Sequence, residues 1–221
     1  MKKIRWLLFV ILLFSACGID NIVYLDKPVL IHDPSELGDD SRLYFEFRTS
    51  DKNNTRDASG YFKGFDIFYR IYENKNSCAA DISSAKTYND SNPSNSANYL
   101  RNTLSFKFLT RVGKSVSSRP FIDGASYDRN IRFRLSSYAS DTDSITIDGV
   151  NLGTVMRETS QTFRQINKKD IDVKSDSSAS TNNYLYVAVF AAAYGTDNSF
   201  KPAYSEILFL GYVRINKPSD F

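Results

Sequence analysis

Histidine, cysteine and tryptophan are nearly missing: 221 residues hold one His, two Cys and one Trp. So few imidazoles and thiols exclude a histidine-built zinc centre, which needs several such ligands. A serine or cysteine triad would have only His32 as its base, beside Asp33 and fifteen residues beyond Cys17. That position suits an edge-strand or surface residue better than a catalytic one. There is no Gly-x-Ser-x-Gly, no phosphate loop and no dinucleotide fingerprint. Glutamate is scarce, at Glu36, Glu46, Glu73, Glu158 and Glu206, so few carboxylate pairs are open to glycoside hydrolysis. A clustered excess of base is also lacking. The chain has 28 Lys+Arg against 25 Asp+Glu, and Lys2, Lys3 and Arg5 fall in the first sixteen residues, which hold no acid. Residues 17–221 are therefore balanced at 25 of each sign, and no nucleic-acid partner is expected. No run beyond residue 16 reaches eighteen apolar residues, so no spanning helix is expected there.

What the chain does have begins at its start, MKKIRWLLFVILLFSACGID. Three bases precede an apolar run of nine residues, Trp6 to Phe14. A helix of nine residues, at ~1.5 Å each, falls well short of a ~30 Å hydrocarbon core. The pattern is that of a signal peptide over residues 1–16. Phe14-Ser15-Ala16-Cys17 resembles a relaxed bacterial lipobox, with Phe where Leu is usual. The resemblance implies cleavage before Cys17, a diacylglycerol thioether on its sulfur and an acyl chain on its new amine. The protein would then be held in a bacterial cell envelope, most naturally at the outer membrane, with residues 17–20 as tether. Each buried methylene adds ~0.8 kcal/mol to such anchoring, so two or three chains hold firmly. Cys78 is left alone in Asn-Ser-Cys-Ala-Ala and reads as a small semi-buried residue.

The mature chain is dominated by period-two alternation. Leu43, Phe45 and Phe47 alternate with Arg42, Tyr44, Glu46 and Arg48. Phe65, Ile67, Tyr69 and Ile71 alternate with Asp66, Phe68, Arg70 and Tyr72. Ile131, Phe133 and Leu135 repeat the pattern. Segments 144–148 and 150–155 read as a hairpin about Asp148-Gly149. The runs 184–194 and 206–215 are apolar on both faces, as expected of central or covered strands. Asn21 to Ile31 reads as an edge strand because Pro28 cannot donate to a ladder. Helix content is expected to be small, with two turns over 79–88 and another short candidate over 161–169. The Ser/Asn-rich stretches 89–98 and 174–183 read as loops.

These strands predict an all-β fold: a single antiparallel β-sandwich domain over 21–216, with long polar insertions near 74–129 and 137–183 and at most short helices. Three segments resemble the immunoglobulin-like sandwich of the fibronectin type III family. Phe65-Asp-Ile-Phe-Tyr-Arg-Ile-Tyr72 is similar to its C strand. Tyr184-Leu-Tyr-Val-Ala-Val-Phe-Ala191 is similar to its F strand, with a tyrosine corner expected at Tyr184 or Tyr186. Pro202-Ala-Tyr-Ser-Glu-Ile-Leu-Phe209 is similar to its entry into G. The family's core tryptophan on strand B is missing, and Phe45 or Phe47 would fill its place. Other β-sandwiches, or two small β domains, share this strand spacing. The resemblance implies a scaffold and no particular activity.

Four readings of function follow from single features. Phe68 and Tyr72 lie opposite the main alternation, with Tyr44 and Tyr212. They either form an exposed aromatic surface for a protein or glycan ligand, or are buried by the insertions. Arg132 and Arg134 share a strand face and read as paired solvent charges or as an anion or glycan site. Asp141, Asp143 and Asp148 are weak calcium candidates, lacking the ligand density and closing Glu of an EF-hand loop. No cofactor is expected. The best reading is a non-catalytic binding or structural module whose partners are the membrane, through lipidated Cys17, and a protein or glycan. A periplasm-facing envelope-assembly accessory and a carboxylate-dependent hydrolase acting on carbohydrate are the alternatives.

Overall fold

The computed structural model describes residues 24–35, 38–57, 60–115, 117–124, 128–136, 142–176, 183–219 and 221. Cys17, the expected lipid attachment site, and Asp141, a calcium candidate, lie outside the described residues. Thirteen strands occur among the described residues: β1 (Val29–His32), β2 (Phe45–Arg48), β3 (Phe62–Tyr72), β4 (Lys107–Phe108), β5 (Thr110–Arg111), β6 (Ile122–Asp123), β7 (Asn130–Phe133), β8 (Ser144–Ile147), β9 (Val150–Met156), β10 (Val173–Lys174), β11 (Tyr184–Thr196), β12 (Pro202–Tyr204) and β13 (Leu208–Asn216). Three helices join them: α1 (Asp51–Asp57), α2 (Lys75–Ser91) and α3 (Ser96–Asn102).

The strands form two sheets. The first runs β1-β2-β7-β8-β9-β5. In the second, β3 and β11 pair antiparallel through the middle. β13 and β12 follow one another along the free side of β11. The short strands β6, β4 and β10 take successive stretches of the other side of β3. All pairings are antiparallel except β10 with β3. Of the edge strand expected over 21–31, β1 at the sheet edge takes only Val29 onward and runs to His32, while residues 24–28, Pro28 included, lie outside any strand.

The alternation decides the layers. Phe65, Ile67, Tyr69 and Ile71 of β3, with Leu185, Val187, Val189 and Ala191 of β11, meet Phe45, Phe47, Ile131, Phe133 and Ile145 of the first sheet. Phe45 and Phe133 stack across β2 and β7 with centroids 5.1 Å apart. The opposite residues of the same strands, Phe68, Tyr72, Tyr186, Ala188 and Phe190, pack beneath the helical layer with Cys78, Ile82, Ala85 and Leu100. The molecule is thus sheet on sheet with helices over the second sheet, which explains why β11 is apolar on both faces. The hairpin about Asp148-Gly149 forms, with φ of 47° and 82° at its two central residues. A two-residue I′ turn needs positive φ at both, and Asp and Gly tolerate it.

Two expectations about helices are corrected. The two turns expected over 79–88 are part of a 17-residue helix that also takes in the supposed loop from Asn89; Pro93–Asn95 forms a 3-10 turn leading into α3. Asn74 caps α2, its side-chain oxygen accepting the Asn76 N–H at 2.7 Å. The buried residues of α2 are Cys78, Asp81, Ile82 and Ala85, a narrow stripe at helical spacing on an otherwise polar element. Cover for the second sheet, rather than intrinsic propensity, stabilises it. The candidate over 161–169 is not helical but a set of turns. It wraps a buried guanidinium: Arg157 Nη1 donates to Gln165 O at 2.5 Å and to Gln161 Oε1 at 3.2 Å.

Candidate functional site

Most buried charge in this molecule is already committed. Fully buried Arg157 reaches Asp172 through Nε at 2.9 Å and through Nη2 at 2.5 Å, and meets Asp170 at 2.6 Å. Tyr69 donates to Asp172 at 2.5 Å and accepts the Glu158 N–H at 3.0 Å. Burial opposes the charge on Arg157, but the two aspartates outweigh it and raise its pKa. Glu158 takes Arg101 at 2.8 Å and the Phe108 N–H at 2.7 Å. Burial works against its ionisation, yet these partners hold its pKa below the ordinary glutamate value. Glu73 pairs with Lys217 at 3.1 Å and Lys168 at 3.3 Å. Asp66 accepts Arg119 at 3.0 Å, the Phe121 N–H at 2.8 Å and the Tyr204 hydroxyl at 3.3 Å. Burial raises its pKa against the pull of Arg119. These centres tie loops to the second sheet, and each carboxylate is occupied by a cation.

A different arrangement lies where the two sheets part at one end. A cleft of about 430 Å³ opens there, lined by Arg134, Arg164, Arg214, Lys217, Tyr184 and Phe163, with Asp40 at its side. Five segments supply these side chains. Arg134 follows β7 and is buried; it donates to Asp40 O at 3.0 Å and to Ser41 O, which fixes the guanidinium against the turn before β2. Arg164 sits in the wrap after β9, 60% exposed, and meets Asp143 at 3.6 Å. Arg214 is exposed on β13, and its guanidinium carbon lies 5.1 Å from the Tyr184 ring centre. The register explains the pairing: Tyr184 opposes Asn216 and Tyr186 opposes Arg214, so Tyr184 and Arg214 are diagonal neighbours across β11 and β13. Tyr184 itself is 41% exposed. Two of the four cations already face carboxylates, Lys217 on Glu73 at 3.1 Å and Arg164 on Asp143 at 3.6 Å, whereas Arg214 has its guanidinium beside Tyr184 and no ion pair among the described residues. Planar guanidinium groups suit carboxylate, phosphate or sulfate oxygens in two-point contacts, and an exposed tyrosine ring suits the apolar face of a sugar or another ring.

Arg134 lines the cleft, but Arg132 does not. The Arg132 guanidinium lies 3.8 Å from the centre of the Tyr44 ring, with Arg134 at 5.4 Å. His32 stacks on the same ring at 4.1 Å, with Nε2 3.0 Å from Arg42 O. Phe68 and Tyr72 are fully buried under the helices, so they are core residues and not a ligand surface. Asp143 and Asp148 do not converge. They flank the four-residue β8, which at ~3.3 Å per residue puts them about 16 Å apart. Asp148 accepts the Asn130 N–H at 2.9 Å and pairs with Arg129 at 3.3 Å. No group of three metal-ligating side chains occurs among the described residues. Cys78 is free and buried, and burial pushes its thiol up to about 12, the state of an inert packing residue. Sequence reasoning missed Arg164, Arg214 and Lys217. The signal available for Arg214 was a lone charge inside the apolar run 208–215. Tyr184 was singled out as a corner tyrosine, but among the described residues neither it nor Tyr186 bonds upstream backbone through its hydroxyl.

The cleft has a definite place on the molecule. Tyr184 begins β11, and Gly195 lies eleven residues further along it. At Gly195 a Cβ would stand 2.5 Å from Tyr61 O and 3.2 Å from Leu25 Cδ1. The first described residues therefore enter at the other end of the sandwich, about 36 Å away along the strand. No helix among the described residues is long and apolar enough to cross a membrane. Comparison with protein families, with curated proteins and with solved structures found no match to this chain.

Proposed function

We propose that this protein is a bacterial envelope lipoprotein, tethered through Cys17, that binds an anionic ligand, most specifically an acidic glycan, without catalysing a reaction on it. The observation that carries the reading is the cleft lined by Arg134, Arg164, Arg214 and Lys217, in which the Arg214 guanidinium stands beside exposed Tyr184. With a tether at Cys17 the cleft would point away from the bilayer, because the first described residues enter at the opposite end. Guanidinium pairs hold carboxylate oxygens, and the Tyr184 ring offers a stacking platform for a pyranose face. The buried carboxylates Asp66, Glu73, Asp81 and Asp172 and the half-buried Glu158 are each tied to an Arg or Lys, which favours binding over carboxylate-dependent hydrolysis.

The fibronectin type III kinship belongs to the same proposal. β1-β2-β7 lie in one sheet and β3-β11-β13 in the other. This is the neighbour order that strands A-B-E and C-F-G take in such sandwiches. The helical layer and the wrap around Arg157 are then insertions on that frame.

Two experiments test the parts separately. Calorimetric titration of the acyl-free chain with oligogalacturonate should show binding that weakens with salt, while a neutral cello-oligomer should not bind; equal affinity for both would refute the anionic cleft. Cys17→Ala should abolish acyl labelling and membrane partitioning, and unchanged partitioning would refute the tether. Protease digestion on intact cells would place the domain on the outer surface. Protection until permeabilisation would place it facing the periplasm, where an envelope-assembly accessory would work.

A further inference from the structure

The end of the sandwich opposite the cleft carries a different oddity. Phe200 is 86% exposed, at the tip of the turn between β11 and β12. Its φ is 60°, a left-handed conformation that an aromatic residue rarely adopts. The turn enforces it. Asp197 Oδ1 accepts the N–H groups of Ser199 at 2.8 Å and Lys201 at 2.9 Å. The Asp197 N–H reaches Lys201 O at 2.9 Å, and the Phe200 N–H reaches Asp197 O at 3.0 Å. A strained, tightly bonded turn thus holds a bare phenyl ring out from the protein. Tyr24, 77% exposed, lies at the same end: the next residue, Leu25, packs against Gly195 at the foot of that hairpin, and Tyr24 borders a hollow with Pro93, Tyr204 and Glu206. The first sheet adds Val29 at 54% and Val150 at 65%. They belong to the same end: Val29 opposes Arg48, Arg48 opposes Asn130, Asn130 O accepts the N–H of Asp148 in the hairpin tip, and just beyond Arg48 the Ser50 hydroxyl donates to Lys27 O at 2.9 Å while Asn54 Oδ1 accepts the Asp26 N–H at 2.7 Å, beside Leu25. Lys63 and Lys201 are exposed beside them.

We propose that this end is a docking surface for the lipid bilayer, with Phe200 and Tyr24 entering the interface and fixing the orientation of the tethered domain. The inference rests on the Cys17 anchor. Tyr24 is seven steps along the chain from Cys17, a span of about 25 Å at most. An acylated chain therefore holds this apolar end within reach of the membrane, while the cleft is a strand length further out. Aromatic rings at the headgroup level and lysines beside them are the usual chemistry of an interfacial contact.

The only tryptophan of the sequence is Trp6, in the predicted leader, so a mature chain gives a dark background for an introduced indole. Phe200→Trp and, as a control near the cleft end, Ile171→Trp are each purified acylated from membranes and placed in phosphatidylethanolamine/phosphatidylglycerol vesicles with brominated acyl chains. Ile171 is 69% exposed and lies close to β10, which pairs with the far end of β3. The indole of Phe200→Trp should shift to shorter wavelength and lose intensity to bromine, and that of Ile171→Trp should do neither. Intact mass reports the anchor independently. A chain without acyl mass overturns anchor and docking together. A chain with acyl mass whose Phe200→Trp indole stays unquenched, or is quenched no more than that of Ile171→Trp, overturns docking alone.

Discussion

The two ends of this sandwich are built from opposite chemistry although the same strands run between them. At one end, guanidinium groups from β13, the segment after β7 and the wrap after β9 line one cleft with Tyr184. At the other, apolar side chains stand out from a tight turn, a hairpin tip and the entering chain. The net charge of residues 17–221 is zero and registers neither end. The difference teaches that in a neutral chain, segregation along the strands, not total charge, creates a field that a ligand can feel.

That polarity depends on the middle staying rigid, and the largest expected effect is there. Asp172→Ala leaves fully buried Arg157 without its main partner and the Tyr69 hydroxyl without its acceptor. The loss in denaturant-monitored stability should be about 3–5 kcal/mol, the range for breaking a buried pair from one side. A loss near zero would mean that the wrap over 157–172 does not brace the sheets.

Next comes the charged end itself. Arg214→Ala removes an exposed guanidinium from the cleft and its contact with Tyr184. Affinity for oligogalacturonate should fall about tenfold, the value of one charge-assisted contact, with little change in stability. Lys63→Ala, at the apolar end, should leave that affinity alone; an equal loss would dissolve the distinction between the ends.

Acid should act on the middle through two groups of opposite sign. The native pKa of Glu158 is depressed below the ordinary 4.5. Its contribution is therefore full above that value and is lost as pH falls through the native one. Asp66 is raised by burial, so its cost is relieved on acidification. Glu158→Gln should lower stability by about 1 kcal/mol at neutral pH and flatten the acid limb of the stability–pH curve. An unchanged limb would show that Arg101 and Phe108 do not hold this carboxylate ionised.

The smallest effect belongs to the apolar tip. Phe200→Gly relieves a φ of 60° while removing a side chain with almost nothing to pack against. Stability of the acyl-free chain should rise by about 1 kcal/mol or less, because glycine also loses more entropy on folding. A clear loss of stability would mean that the ring packs in solution.

How much of this was legible in the sequence follows from where the information sits. β2, β3, β7 and the Asp148-Gly149 hairpin showed through because alternation and turn chemistry are local. β11 and β13 were recognisable as covered strands because both of their faces are apolar. Helix α2 was under-read because its buried stripe is narrow and its other residues, apart from Ala79, Ala80 and Tyr88, are Ser, Asn, Asp, Thr and Lys, a composition that resembles a loop until a sheet face needs cover. The 161–169 segment was misread because its shape is set by Arg157, a residue outside the window. Of the cleft only Arg134 was singled out in the sequence as a candidate anion contact. The cations of the cleft come from segments 30 to 80 residues apart, and only strand register brings Arg214 diagonal to Tyr184. Arg132 and Arg134 looked equivalent by spacing, yet one rests on Tyr44 and the other reaches the carbonyls of Asp40 and Ser41.

The most direct test is a titration of isotope-labelled, acyl-free protein with oligogalacturonate, followed residue by residue by NMR. Shifts concentrated at Arg134, Arg164, Tyr184, Arg214 and Lys217, with Tyr24, Val150 and Phe200 unmoved, are the expected result. Shifts centred on the Phe200 end, or scattered over both ends alike, would contradict a cleft built for an anionic ligand.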